Sequence, residues 1–200
     1  MDKQVSRQFF NDKATDWDET PRSNAAYQLE AMAARLGLRD GERVLDVGTG
    51  TGVFVPYIKQ MIGFSGHIAC VDFALEMLLI AKNKNTEIGI MPVCAEIETV
   101  GFKPGIFDAV VCYSTFPHFH DKSRALRNIH FLLKDAGKIF ICHTASREQI
   151  NRIHLSIPDF QDHLIPECTE MISLLKYAGF TQVSVDERDD SYLAQGSKLN

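Results

Sequence analysis

The run Arg43-Val44-Leu45-Asp46-Val47-Gly48-Thr49-Gly50-Thr51-Gly52 constrains the fold more than any other feature. A short apolar segment runs into alternate glycines, and a periodic apolar stretch, Val53 to Ile62, follows at once. Strand, glycine turn and helix in that order form the first unit of an open α/β sheet, whose turn brings backbone close to a ligand.

The alternation then repeats. Strands are expected at His67–Val71, Ile88–Val93, Phe107–Tyr113 and Gly137–His143, with helices at Leu75–Lys84 and Lys122–Leu133. Such spacing calls for right-handed crossovers and a buried parallel sheet. A helix over Glu167–Ala178 stops at Gly179, and the runs Thr181–Glu187 and Ser191–Gly196 flank the turn-like Arg188-Asp189-Asp190 as an antiparallel hairpin. Ahead of the first strand, residues 23–37 carry alanine, leucine and methionine at helical spacing between Ser23 and Gly37. The expected fold is α/β: a Rossmann-like three-layer sandwich around a mostly parallel seven-stranded sheet with a C-terminal antiparallel hairpin.

With 200 residues, 45% of them hydrophobic, one domain over 1–200 is expected. It comprises a helical lead-in (1–40), a ligand-binding core (41–145), a cap (146–166) and a C-terminal helix and hairpin (167–200). The cap is a helix from Arg147 to about His154 and an irregular stretch holding Pro158 and Pro166. A net charge of −5 without a basic stripe disfavours nucleic acid. Short, interrupted apolar runs and the polar start give no membrane span or signal segment, so a cytoplasmic location is expected. Cys70, Cys94, Cys112, Cys142 and Cys168 are odd in number and widely spaced, and read as buried reduced thiols.

A dinucleotide fingerprint would place its third glycine at position 53, which is Val53. The loop therefore suits a ligand without a pyrophosphate. Asp72, 20 residues beyond Gly52 at the end of the second strand, can accept both hydroxyls of a ribose.

From about Phe9 to His143 the chain resembles the class I S-adenosylmethionine-dependent methyltransferases of the ubiquinone/menaquinone-biosynthesis (UbiE-like) group. Val44–Gly52 matches the first motif of that family, and Val71-Asp72-Phe73-Ala74-Leu75-Glu76-Met77-Leu78 its ribose motif. The resemblance implies S-adenosylmethionine as cofactor and a small-molecule methyl acceptor. It further implies that Asp46 and the loop residues Gly48, Thr49, Gly50 and Gly52 orient the methionine end, that Asp72 takes the ribose, and that Phe73 and Met77 sandwich the adenine. The adenine-edge motif is Val93-Cys94-Ala95-Glu96, with Cys94 where a carboxylate is usual, so the Ala95 N–H and Glu96 are the expected contacts. The fourth-strand motif, Phe107 to His118, places Cys112 beside the cofactor and has Pro117 in place of the first of two histidines. Phe9–Asp18 resembles a segment that folds over the cofactor, with Trp17 its foremost candidate.

A sulfonium carries an activated methyl group, so such a protein mainly aligns the acceptor and excludes water, with a base needed only where the acceptor must lose a proton. His118, after the fourth strand, and His143, at the end of the fifth, both belong at the carboxyl edge of the sheet and are the candidate bases. His143, Arg147, Asn151 and His154 share one face if the cap helix starts at His143. No metal is expected; His143, His154 and His163 would be the set to hold one. A Pro-Pro-Tyr/Phe signature of base methylation is missing, since Ser114-Thr115-Phe116-Pro117 stands there. Acceptor identity and oligomeric state are not encoded in any of these motifs.

Overall fold

A computed structural model describes residues 3–19 and 26–199. Residues 23–25, the expected start of the second helix, lie outside the described residues. The chain forms a seven-stranded sheet in the order β3-β2-β1-β4-β5-β7-β6. Its strands are β1 (Arg43–Val47), β2 (His67–Asp72), β3 (Met91–Cys94), β4 (Phe107–Tyr113), β5 (Leu133–His143), β6 (Thr181–Arg188) and β7 (Ser191–Ser197). Strands β1 to β5 are parallel, whereas β7 runs antiparallel to both β5 and β6.

Helices cover both faces. On one side α2 (Ala26–Leu36) and α3 (Val55–Ile62) bury Leu29, Met32, Val55 and Ile58 against Val44, Ile68 and Val111. On that side α4 (Leu75–Lys84) adds Leu78. On the other, α5 (Lys122–Leu132) and α7 (Cys168–Tyr177) bury Leu126, Ile129, Met171 and Leu175 against Leu45, Val110 and Ile141. Central strands are mainly apolar on both sides because both faces are covered, with Asp46 in β1 and Asp108 in β4 as the exceptions. Two elements lie outside that sandwich: α1 (Lys3–Lys13) at the front and α6 (Arg147–Ser156) in the cap.

Two strand boundaries differ from the sequence reading by more than two residues. Strand β3 is confined to the four residues that pair with Ala69–Asp72, because Ile88 closes a turn onto the Asn85 carbonyl. Strand β5 begins earlier, at Leu133, and its pairing with β4 slips between Phe107 and Ala109 where Ala136 takes a φ of 61°. The cap helix starts at Arg147, as read from the sequence, because Ser146 and Gln149 form a reciprocal capping box, so His143 stands outside it. The cysteine reading also needs correction: Cys70, Cys112 and Cys142 are buried, but Cys94 is exposed on the edge strand and Cys168 is half-buried in the first turn of α7. Among the described residues no helix is long and apolar enough to cross a membrane.

Candidate functional site

Strand order reverses between β1 and β4, so the segments after β1, β2 and β4 diverge around a crevice at the carboxyl edge. Val47, Gly48, Val71, Asp72, Phe73, Ala95, Glu96, Thr115, His118 and His163 are among its lining residues. The cleft encloses about 560 Å³ of space continuous with solvent.

The glycine turn is fastened to the end of β2. Gly48 and Thr49 donate to the Val71 carbonyl at 2.7 and 3.2 Å, and Gly52 donates to the Thr49 carbonyl at 2.9 Å. Gly50 donates to Asp72 Oδ2 at 2.8 Å, while Ala74 N–H reaches Oδ1 of the same carboxylate, also at 2.8 Å. Burial outweighs these bonds and pushes the Asp72 carboxyl up to about 6. Asp46, beneath the turn, accepts the Thr49 hydroxyl at 2.6 Å. Its own burial raises it to about 7, opposed by that bond and reinforced by the nearby Asp72 charge. Two desolvated carboxylates side by side favour donors and positive charge above them.

At the end of β4, Ser114 adopts a φ of 52°, unusual for a residue with a side chain, and turns the chain into the short 3₁₀ segment Phe116–His118. The turn presses Thr115 against the glycine loop: a Cβ on Gly48, itself at φ +64°, would lie 1.9 Å from Thr115 Oγ1. Glu98 holds the far side of this segment, accepting from the N–H groups of His120 and Asp121 at 3.0 and 3.2 Å. His118 is thereby fixed on the cleft wall, where its Nδ1 lies 3.0 Å from Nδ1 of His163 in the cap. Burial first, and then the neighbouring imidazoles and Lys122, keep His118 well below the usual histidine range.

Helix α1 closes the front. Phe10 packs on Trp17, Phe73, His118 and Phe160, and Lys3 and Arg7 pair with Glu96 at the cleft mouth. Asn11 Oδ1 caps the first turn of α4 by accepting from Glu76 N–H, and Asp18 ties Thr51 to Lys84. Several residues expected near a ligand are therefore engaged within the protein. Ala95 N–H donates to the Asp72 carbonyl, and the Glu96 carboxylate holds α1. Gly48, Asp72, Phe73, Ala95, Glu96 and His118 line the cleft; Asp46, Thr49 and Gly50 support its floor. Gly52 packs its backbone against Ala81 of α4 and Asn85, which caps that helix, Met77 and Trp17 belong to the apolar cluster under α1, and Cys112 lies in the sheet core.

The structure does not bring His143 to this cleft. The ring ends β5 packed edge-on against Tyr192, with centroids 6.2 Å apart, and burial lowers it to about 3. Its Nε2 and the Tyr192 hydroxyl are buried without a hydrogen-bond partner among the described residues. With the capping box intervening, the expected common face of His143, Arg147, Asn151 and His154 does not form. Arg147 pairs with Glu167 and Glu187, Asn151 exchanges hydrogen bonds with the Ile165 backbone, and His154 Nδ1 bonds the His163 carbonyl. His143, His154 and His163 make no ligand set; among the described residues no three His, Cys, Asp or Glu side chains are placed to hold a metal ion. Phe10 and Thr115 lie in the segments Phe9–Asp18 and Phe107–His118 that the sequence marks, though neither stands out there as a site residue, and Phe160 acts through a long-range contact that no local motif marks.

Residues 45–141 match the protein family described as Methyltransferase domain. The ubiquinone/menaquinone biosynthesis C-methyltransferase UbiE of Edwardsiella ictaluri is 29% identical over 141 residues, covering 68% of this chain and 56% of the relative. The chain thus spans about half the length of the curated relatives it matches. A SAM-dependent methyltransferase from Aquifex aeolicus superposes with a TM-score of 0.71 at 22% identity, over 86% of this chain and 89% of that one. Phosphoethanolamine N-methyltransferase 2 of Haemonchus contortus, in complex with S-adenosyl-L-methionine, gives 0.74 at 17% identity over 96% of this chain and 60% of that one.

Proposed function

We propose that this chain, whose residues 45–141 belong to the methyltransferase domain family, holds S-adenosylmethionine in the cleft at the carboxyl edge and methylates a small molecule. The reading rests above all on Asp72, a desolvated carboxylate on the cleft wall clamped between Gly50 and Ala74. Each of its oxygens keeps a lone pair for a ribose hydroxyl, and such donors would offset the burial that raises its pKa. Gly48, Phe73, Ala95 and Glu96 provide the remaining wall, and Asp46 a buried carboxyl beneath the turn that a cationic end of the ligand would draw into its ionised form.

The cofactor supplies a methyl group on a sulfonium, so the carbon–sulfur bond breaks as the bond to the acceptor forms. Phe10, Phe73, Phe119 and Phe160 keep water from that step, so the acceptor atom meets the methyl group without a hydration shell and water does not compete for it. His118 remains neutral at physiological pH, and with Nδ1 engaged by His163 it has Nε2 free to take a proton from a hydroxyl, thiol or amine acceptor. A small acceptor suits a cleft roofed by α1 on one side and the cap on the other, and the charge of −5 does not suit a nucleic-acid surface.

Incubation of the pure protein with methyl-labelled cofactor and, separately, with small-molecule extract, total RNA and denatured cell protein tests this reading. Label is expected in a new compound that passes an ultrafiltration membrane and separates from the cofactor on chromatography. Label confined to RNA or protein would refute the acceptor class.

A further inference from the structure

We propose that His163 of the cap is a positioning residue for His118: through the Nδ1···Nδ1 hydrogen bond it holds His118 in the tautomer whose Nε2 is bare and able to accept the proton of the methyl acceptor. The inference rests on the methyl-transfer reading above and deepens it.

At 3.0 Å, two imidazole nitrogens can bond only if one bears a hydrogen and the other a lone pair. The surroundings assign which. His118 is wedged between Phe10 and Phe160, with ring centroids at 5.2 and 5.4 Å, and an N–H without a partner there would be costly. Both imidazoles are partly buried, but among the described residues the His118 ring packs on Phe10, His154 and Phe160, whereas the His163 ring meets Phe160 alone besides His118, so water is the better placed to satisfy a hydrogen on His163 Nε2. The bare Nδ1 therefore falls on His163, the Nδ1–H on His118, and His118 Nε2 keeps its lone pair. The tautomer of a histidine is set by the bond its other nitrogen makes, and the pairing imposes the form a base requires.

His163 is itself held firmly. Its N–H donates to the Phe160 carbonyl at 2.9 Å, its carbonyl bonds His154 Nδ1, and its ring packs on Phe160 at 4.9 Å. Burial and the nearby Lys122 hold it down to about 4, so it stays neutral and able to accept. In the reaction, the hydrogen on the acceptor atom passes to His118 Nε2 as the methyl–acceptor bond forms and the carbon–sulfur bond breaks. The imidazolium so formed keeps its Nδ1–H on His163, which spreads the charge at no cost in reorganisation.

Long-range ¹H–¹⁵N spectra of the full chain at neutral pH distinguish the two tautomers of His118 directly. The wild type is expected to show His118 protonated at Nδ1. His163→Leu removes the acceptor and should shift His118 to the Nε2–H form. His163→Asn, whose Oδ1 can stand near the position of Nδ1, should restore the wild-type signal. In the labelled-methyl assay His163→Leu should lower kcat about 10–100-fold with KM unchanged, somewhat less than the roughly 10²–10⁴-fold worth of a general base, and His163→Asn should recover most of it. His118 found as Nε2–H in the wild type, or unchanged in His163→Leu, would overturn the proposal. Absence of cofactor binding with the expected tautomers would instead refute the methyl-transfer reading alone.

Discussion

Gly48→Ala tests how the cofactor loop is built. At φ +64° an alanine is strained by ~1–2 kcal/mol. Its Cβ would also lie 1.9 Å from Thr115 Oγ1 and 2.4 Å from Thr115 Cβ, an overlap that should cost a further ~1–3 kcal/mol. The sum, roughly 2–5 kcal/mol, corresponds in a chain of 200 residues to a Tm lowered by about 4–20 °C, at ~2–4 °C per kcal/mol. Urea unfolding and calorimetry of Gly48→Ala, Thr115→Gly and the double variant form a cycle that separates the two parts. Removing the Thr115 side chain should recover the steric part, a coupling of ~1–3 kcal/mol, and leave the backbone strain. Additivity of the two single changes to within ~0.5 kcal/mol would refute the view that Thr115 dictates a glycine at position 48.

Further outcomes follow from the same geometry. Because burial raises the Asp46 pKa from 3.8 to about 7, its folded form holds a proton more tightly than its unfolded form, and stability present below pH 4 is lost as pH climbs to 7. Asp46→Asn should remove that loss, gaining stability over the wild type by at most on the order of 4 kcal/mol at pH 8 and much less at pH 4; a pH-independent difference in urea midpoints would contradict it. Tyr192→Phe deletes a buried hydroxyl without a partner among the described residues and should be neutral or stabilising by about 1 kcal/mol, whereas a loss above ~1 kcal/mol would mean that the hydroxyl is satisfied in solution. Phe10→Ala should cost ~3 kcal/mol or more of packing under α1 and speed hydrogen exchange across residues 3–13. Exchange in β1 and β4 should stay as in the wild type; faster exchange throughout would show that α1 does not open separately.

The sheet was legible in the chain because its central strands are short, mainly apolar runs bounded by glycine and charge, and because the hairpin turn at Arg188-Asp189-Asp190 is polar. The same holds for Asp72, whose distance from the loop is set by one crossover. Less legible were features decided across the fold. The loop amides bond the end of β2, so the glycines serve close packing against Thr115, Ala81 and Asn85 as much as access to a ligand. Met77 and Trp17 have the spacing of cofactor contacts, yet α1 covers them with Phe10. His143 and His118 end adjacent strands at the same edge, but the antiparallel β7 sets Tyr192 beside His143 and walls it off. The partner of His118 lies 45 residues away in the cap, where no periodicity points to it.

The central claim, that the cleft built around Asp72 holds S-adenosylmethionine, is tested most directly by calorimetric titration of that cofactor into the wild type and Asp72→Asn. One site is expected in the wild type, and an affinity lower by about 10–100-fold in the variant, the loss of ~1.5–3 kcal/mol that hydrogen bonds to a charged group carry. No binding to the wild type, or equal affinity in the two proteins, would contradict it.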